Sequence, residues 1–238
     1  MRRLWDGQQL SGCLHSRLAF AEAARDYASR MEQIGLFPLG IVLLPGEQIP
    51  LHIFEERYKE LIVECLDEGR EFGLVFADEE GPRAVGTTAA VIEVLEQFDD
   101  GRMNILVEGR RRFRVAEATE GRSFATAMVE ELPDEPESVE TLPDEAAIAE
   151  CLRAFRRVLE AAGAEAENLD LAAASLAFEI AGQLEFSPEA KQELLEMRTE
   201  RERVLRLTEL LEKAVDQVRL QRRAQELASG NGHVKEGE

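Results

Sequence analysis

The hydrophobic period changes part-way along this chain, and that change limits the fold more than any other feature. From Ile34 to about Pro133 the pattern is strand-like. The segments IVLLP, FGLVFA, TAAVIEVLEQF, MNILVEG, RRFRV and FATAMVEEL are rich in Val, Ile, Phe and Thr. Turn signals separate them at Pro45-Gly46, Glu80-Gly81-Pro82, Asp99-Asp100-Gly101 and Glu120-Gly121. The clearest hairpin runs from Val91 to Val107 around Asp100-Gly101. One helix interrupts the series: Glu55 to Glu68 puts Tyr58, Leu61, Ile62, Cys65 and Leu66 on one face, and Gly69 stops it. Several short strands with one inserted helix predict a small mixed barrel.

From Asp144 to about Ala228 the period is helical. Ile148, Leu152, Phe155 and Leu159 form one stripe; Leu176, Ile180, Ala181 and Leu184 form another. Ser187 followed by Pro188 predicts a helix start, and Thr199 with Glu202 predicts a capping box. Val204, Leu207, Leu211, Ala214 and Val218 follow heptad spacing too briefly for a coiled coil, so the last helix is expected to pack on its neighbours. The expected organisation is a helical extension over 1–33, a β-domain over 34–133, an acidic linker over 134–145, a helical subdomain over 146–228 and a disordered tail over 229–238. The fold class is therefore α+β.

Charge and motif content narrow the function. A net charge of −20 repels phosphate backbones, which makes nucleic acid a poor general partner. No stretch reads as a membrane span, since the longest uncharged apolar run, Ile34 to Gly46, is short and holds Pro38 and Pro45. The opening MRRLWDGQQ lacks the apolar run of a secretory signal, and Leu10-Ser11-Gly12-Cys13 lacks the hydrophobic segment of a lipoprotein box. Cys13, Cys65 and Cys151 are distant and odd in number, which fits free thiols and a cytoplasmic setting. There is no Gly-Lys dipeptide for a phosphate loop, no HExxH and no G-x-S-x-G. His15, His52 and His233 stand apart, so His52 near Glu55 and Glu56 reads as structural rather than as a metal ligand. No catalytic residue, metal or cofactor is expected. The one basic run, Arg110 to Arg114, reads as a strand with Phe113 and Val115 inward and Arg112 and Arg114 solvated or paired with carboxylates.

A family resemblance extends this reading. Leu36-Phe37-Pro38-Leu39, Leu44-Pro45-Gly46, Ile49 to Glu55 and Arg57-Tyr58 closely resemble the opening of Lon N-terminal domains, the freestanding bacterial type above all. Phe72-Gly73-Leu74-Val75, Val85-Gly86-Thr87, Asp100-Gly101-Arg102, Leu106 to Gly109 and Arg112 to Val115 follow in order, and similarity continues around Phe178–Leu184, Ser187–Met197 and Arg201-Glu202-Arg203. Each motif alone is weak; their order and spacing over about residues 34–222 make them specific. The resemblance implies a PUA-like β pseudo-barrel followed by a helical bundle. It also implies contact with substrate proteins, with ATPase and Ser–Lys peptidase chemistry belonging to other domains, for which the sequence before Glu238 leaves no room.

The expected function is a non-catalytic polypeptide-binding module, an adaptor or regulator in protein quality control. Its partners would be unfolded or client polypeptides and an associated protease or chaperone. The alternative is an RNA-binding PUA-like module using Arg110, Arg112 and Arg114. For polypeptide binding the expected site is the strand-to-helix corner Ile53 to Lys59, with Phe54, Glu56, Arg57 and Glu60 as its residues.

Overall fold

Turn chemistry sets the β-region. At the Asp100-Gly101 turn Gly101 takes φ 80°, and the Phe98 N–H donates to the Arg102 carbonyl at 2.9 Å. The two flanking strands are each 17 residues long, far beyond the Val91–Val107 core of the predicted hairpin. The structure is a computed structural model that describes residues 31–119, 122–136, 138–164, 169 and 173–230. The extension before Met31, the Glu120-Gly121 turn and the tail from 231 lie outside the described residues.

The elements run β1 (Met31–Leu39), β2 (Gln48–Ile53), α1 (Glu56–Glu68), β3 (Phe72–Asp78), β4 (Gly81–Gln97), β5 (Met103–Thr119), β6 (Thr126–Glu131), α2 (Glu145–Ala162), α3 (Leu176–Gly182), α4 (Pro188–Glu196) and α5 (Glu200–Gly230). Met31–Gln33, expected to end a leading helix, are instead the start of β1 and pair with Met128–Glu130 of β6. Tertiary pairing there overrides the local helical pattern. The strands form one mixed sheet in the order β2-β5-β4-β3-β1-β6, and a further β5–β6 pairing closes it on itself. Among these strands only β1 and β3 pair in parallel; the other pairs are antiparallel. Register shifts in β4 against β5, at Thr87/Ala89, Val91/Glu93 and Val94/Glu96, bend this long ribbon. Its far part, Val91–Gln97 and Met103–Glu108, joins β2 to make a three-stranded arm.

Three cores follow. Tyr58, Leu61, Ile62 and Cys65 of α1 cover the inner face of the arm, against Leu51, Ile53, Met103, Ile105 and Val107. Inside the closed part, Ile34, Leu36, Val75, Phe113, Ala127 and Val129 pack together. The third core holds the four C-terminal helices against Val42, Leu44, Phe76, Val85 and Leu132 of the β-region. Burial of each such side chain is worth about 1.5–3 kcal/mol.

The α2 stripe is rotated from expectation: Cys151, Ala154, Phe155 and Val158 are buried, while Leu152 and Leu159 are only partly covered. Both predicted caps form. Ser187 accepts from the Ala190 N–H with Pro188 in the first turn, and Thr199 accepts from the Glu202 N–H at 3.2 Å. The acidic linker expected over 134–145 is anchored at its start. Asp134 accepts from the guanidinium groups of Arg112 in β5 and Arg203 in α5. Its acidity serves that buried pair of cations.

Candidate functional site

Alternation along β2 builds a surface. Leu51 and Ile53 point into the core, and Gln48, Pro50, His52 and Phe54 lie on the other side, toward solvent. Phe54 is 59% exposed and stacks on His52, with ring centroids 5.9 Å apart and planes 22° from parallel. Phe98, at the hairpin end, meets His52 edge-on at 6.4 Å. Leu95 is half exposed beside them. Pro50, Leu51, His52, Leu95, Glu96 and Asn104 line an open depression of about 580 Å³.

Two cross-strand rows organise this outer face. In one, Pro50 of β2, Leu106 of β5 and Glu93 of β4 lie side by side; in the other, His52, Asn104 and Glu96 do. The second row is hydrogen-bonded throughout. The Asn104 amide donates to Glu96 Oε2 at 2.9 Å, so its Oδ1 accepts, and His52 Nδ1 lies 2.6 Å from that oxygen. Nδ1 therefore carries the proton, and Nε2 is the second ring nitrogen, left to other partners. Lys59 ties the helix to the hairpin tip, donating to the Asp100 carbonyl at 3.0 Å and to Glu56 at 2.9 Å. Such an arrangement can stack, hydrogen-bond and cover apolar groups. Its residues include no nucleophile with an adjacent base.

The four corner residues expected from the sequence do not converge. Phe54 is on the outer face. Glu56 is exposed beside it and bridged to Lys59. Arg57 pairs with Glu55 at 2.8 Å and lies over the Tyr58 ring at 4.4 Å. Glu60 accepts from the Ser123 hydroxyl, in the connection between β5 and β6. His52, Leu95, Phe98, Pro50 and Asn104 join the site without having been expected there. The sequence does carry a signal for them: i, i+2 alternation from Gln48 to Phe54, and a hairpin turn that sets Phe98 opposite Arg102.

Most of the basic run is engaged by carboxylates or buried. Arg110 pairs with Glu108 at 2.7 Å, and Arg111 lies within 3.7 Å of Glu32, Glu71 and Glu131. Arg114 is exposed and lines one depression with Arg111, Glu130 and Arg198. Arg112, expected to be solvated or paired, is paired and also only 6% exposed. Burial draws its pKa down while Asp134 opposes that. It donates to the carbonyls of Leu195 and Met197 as well as to Asp134. Phe113 faces the barrel core, so β5 is buried on both sides here, which its basic sequence conceals.

The sequence from residue 33 to residue 213 matches the family model described as the ATP-dependent protease La (LON) substrate-binding domain. The chain belongs to the Lon substrate-binding domain family. Among solved structures, the crystal structure of a Lon N-terminal domain protein from Xanthomonas campestris is similar with a TM-score of 0.57 and 26% identity, covering 74% of this chain and 96% of that one. The N-terminal domain of a Mycobacterium avium complex Lon protease shares the fold, with a TM-score of 0.59 at 18% identity over 78% of this chain and 98% of that one. Curated relatives include a Lon protease of Paraburkholderia phytofirmans, 30% identical over 69% of this chain and 22% of its own length. A Lon protease of Anaeromyxobacter dehalogenans is 28% identical over 79% of this chain and 24% of its own length. The chain thus spans about a quarter or less of these curated relatives. Among the described residues no helix is long and apolar enough to cross a membrane, and no group of acidic, His and Cys side chains could hold a metal ion.

Proposed function

We propose that this Lon-type domain recognises non-native polypeptide on the outer face of its three-stranded arm, and that it works by binding rather than by bond cleavage. The observation that carries the reading is the exposed ring of Phe54 stacked on His52, beside Leu95 and the open depression. Exposed aromatic groups with a polar rim are the usual anchors of protein interfaces. The substrate-binding description of the matching family supports polypeptide as the ligand class. Phe54 provides the anchor, Glu56 and Arg57 sit at the rim, and Glu60 is held away by Ser123. A role as adaptor to a protease or chaperone fits a module of this kind. The RNA alternative is disfavoured by the burial of Arg112 and the pairing of Arg110 and Arg111.

Fluorescence anisotropy with a labelled, permanently unfolded protein (reduced and carboxymethylated lactalbumin) tests the reading. Binding should weaken at least about tenfold in a Phe54→Ser, Leu95→Ser variant with an unchanged circular dichroism spectrum, the loss expected for two interface anchors. Equal binding by that variant would rule this face out. Turnover of ATP or casein by the purified chain would contradict the non-catalytic part.

A further inference from the structure

The carboxylates on the arm are unevenly matched. Glu55 has Arg57, Glu56 has Lys59, Asp100 has Arg102 and Glu108 has Arg110. Glu93 and Glu96 make no ion pair among the described residues, although they flank Leu95 on the face described above; Glu96 accepts only from the Asn104 amide. The depression therefore has Glu96 in its wall and Glu93 one cross-strand row away, and neither carboxylate is matched by a cation among the described residues.

The free edge of β2 argues against one binding mode. Gly46 donates to the Gly109 carbonyl and Gly109 donates to the Glu47 carbonyl, both at 2.9 Å. Antiparallel alternation then turns the backbone groups of Ile49, Leu51 and Ile53 toward β5, and those of Gln48, Pro50 and His52 toward the open edge. Pro50 has no N–H, so an added strand would lose a hydrogen bond at its centre. Side chains on the face, rather than the strand edge, must supply the contacts.

We infer that the segment this face takes is apolar and cationic: an aromatic or branched side chain enters the depression over Pro50, His52 and Leu95, and a neighbouring Lys or Arg meets Glu93 and Glu96. This rests on the polypeptide reading above and names the chemistry it selects. Charge decides between occupants. A second copy of a chain with net charge −20, or a nucleic acid, brings more negative charge to an acidic rim, whereas a basic apolar segment neutralises it. The preference also works against acidic, well-solvated segments, a form of discrimination by repulsion.

Three labelled peptides of equal length test this, sharing a Leu-Phe-Val core flanked by Lys, by Ser or by Glu. The Lys-flanked peptide should bind about three- to tenfold more tightly than the Ser-flanked one at low salt, and the Glu-flanked one more weakly, as one or two exposed ion pairs allow. The order should collapse at about 0.5 M salt. It should also collapse in a Glu93→Gln, Glu96→Gln variant, in which the introduced side-chain amide can still accept from Asn104. Equal binding of all three peptides, or a charge preference that survives in that variant, overturns the inference. If all three bind with equal affinity and Phe54→Ser weakens that binding, the face still binds polypeptide and only the charge selection falls. If none binds, or Phe54→Ser changes nothing, the polypeptide reading of the face falls and takes the inference with it.

Discussion

Arg112 of β5 and Arg203 of α5 donate to the same carboxylate, that of Asp134. Both guanidinium groups lie over the Phe178 ring, at 5.7 and 4.6 Å from its centroid. Arg203 is fully buried, and Glu200 is its second anion, at 2.8 Å. Glu200 also accepts from the Ala177 N–H at 2.9 Å, so the same cluster closes the start of α3. Two buried cations and two carboxylates thus join the β-region to the helices.

Removing the shared anion should be costly. Asp134→Ala leaves two buried guanidinium groups facing each other, and the expected loss is about 2–4 kcal/mol of unfolding free energy. Asp134 is part-exposed, which places the value below that of a fully buried ion pair. Urea denaturation of wild type and variant measures it. A loss under about 0.5 kcal/mol would show that the cluster is an ordinary surface pairing.

The same contact sets an acid limit. Burial alone would raise the Asp134 pKa, but hydrogen bonds and charge from Arg203 and Arg112 outweigh it and hold it below the ordinary 3.8. A depressed folded-state pKa stabilises above the unfolded value and is lost as pH falls through the folded one. The stability gap between wild type and Asp134→Ala should therefore be flat above about pH 5 and shrink below about pH 4. Melting temperatures of both proteins across that range give the test. A gap that grows on acidification would reverse the sign.

Backbone crossing predicts a second weak point. A Cβ at Gly109 would overlap the Leu44 carbonyl oxygen. Gly109→Ala must separate the Leu44–Glu47 turn from β5, at a cost of about 1–3 kcal/mol or more. Loss of amide protection at Gly46 and Gly109 in hydrogen exchange would locate the damage. Gly46→Ala would be costly for another reason, its φ of 83°.

Thiol chemistry reports on the core under α1. Burial, helped by Glu64 and Glu68, pushes the Cys65 thiol up to about 11, and burial raises Cys151 too. At pH 8 that is about a hundredfold less thiolate at Cys65 than an ordinary cysteine shows. In a Cys13→Ser variant, Ellman's reagent should titrate neither thiol rapidly until denaturant is added. Immediate reaction of either thiol in the native protein would contradict the packing of the core that holds it, the one under α1 for Cys65 and the helical one for Cys151.

Much of the fold is legible in local pattern. The inward stripe of α1 from Tyr58 to Cys65, the Ser187 and Thr199 caps and the Asp100-Gly101 turn all follow from spacing and residue type, whereas Leu66, expected on the same face, is exposed. Contacts distant in sequence are not legible in this way. Arg112 reads as solvated or paired, and its burial appears only once α4 and α5 fold back on β5; Asp134 looks like linker acid until Arg203 reaches it across 69 positions. Met31–Gln33 look helical until β6 pairs with them. The site divides likewise. Phe54 is visible as a corner aromatic, but its partners come from register: His52 by alternation, Asn104 and Leu95 only through pairing of β5 with β2 and β4.

Polypeptide binding on the outer face of the β2–β5–β4 arm is the proposal on which the rest depends. The most direct measurement is a titration of the isotopically labelled protein with the unfolded lactalbumin derivative, followed by backbone amide NMR. The predicted result is a set of saturable shifts confined to Leu51–Glu56 and Ile92–Asn104, and their loss in Phe54→Ser. Shifts centred on Arg110–Arg114 or on α5, or none at saturating ligand, would contradict it.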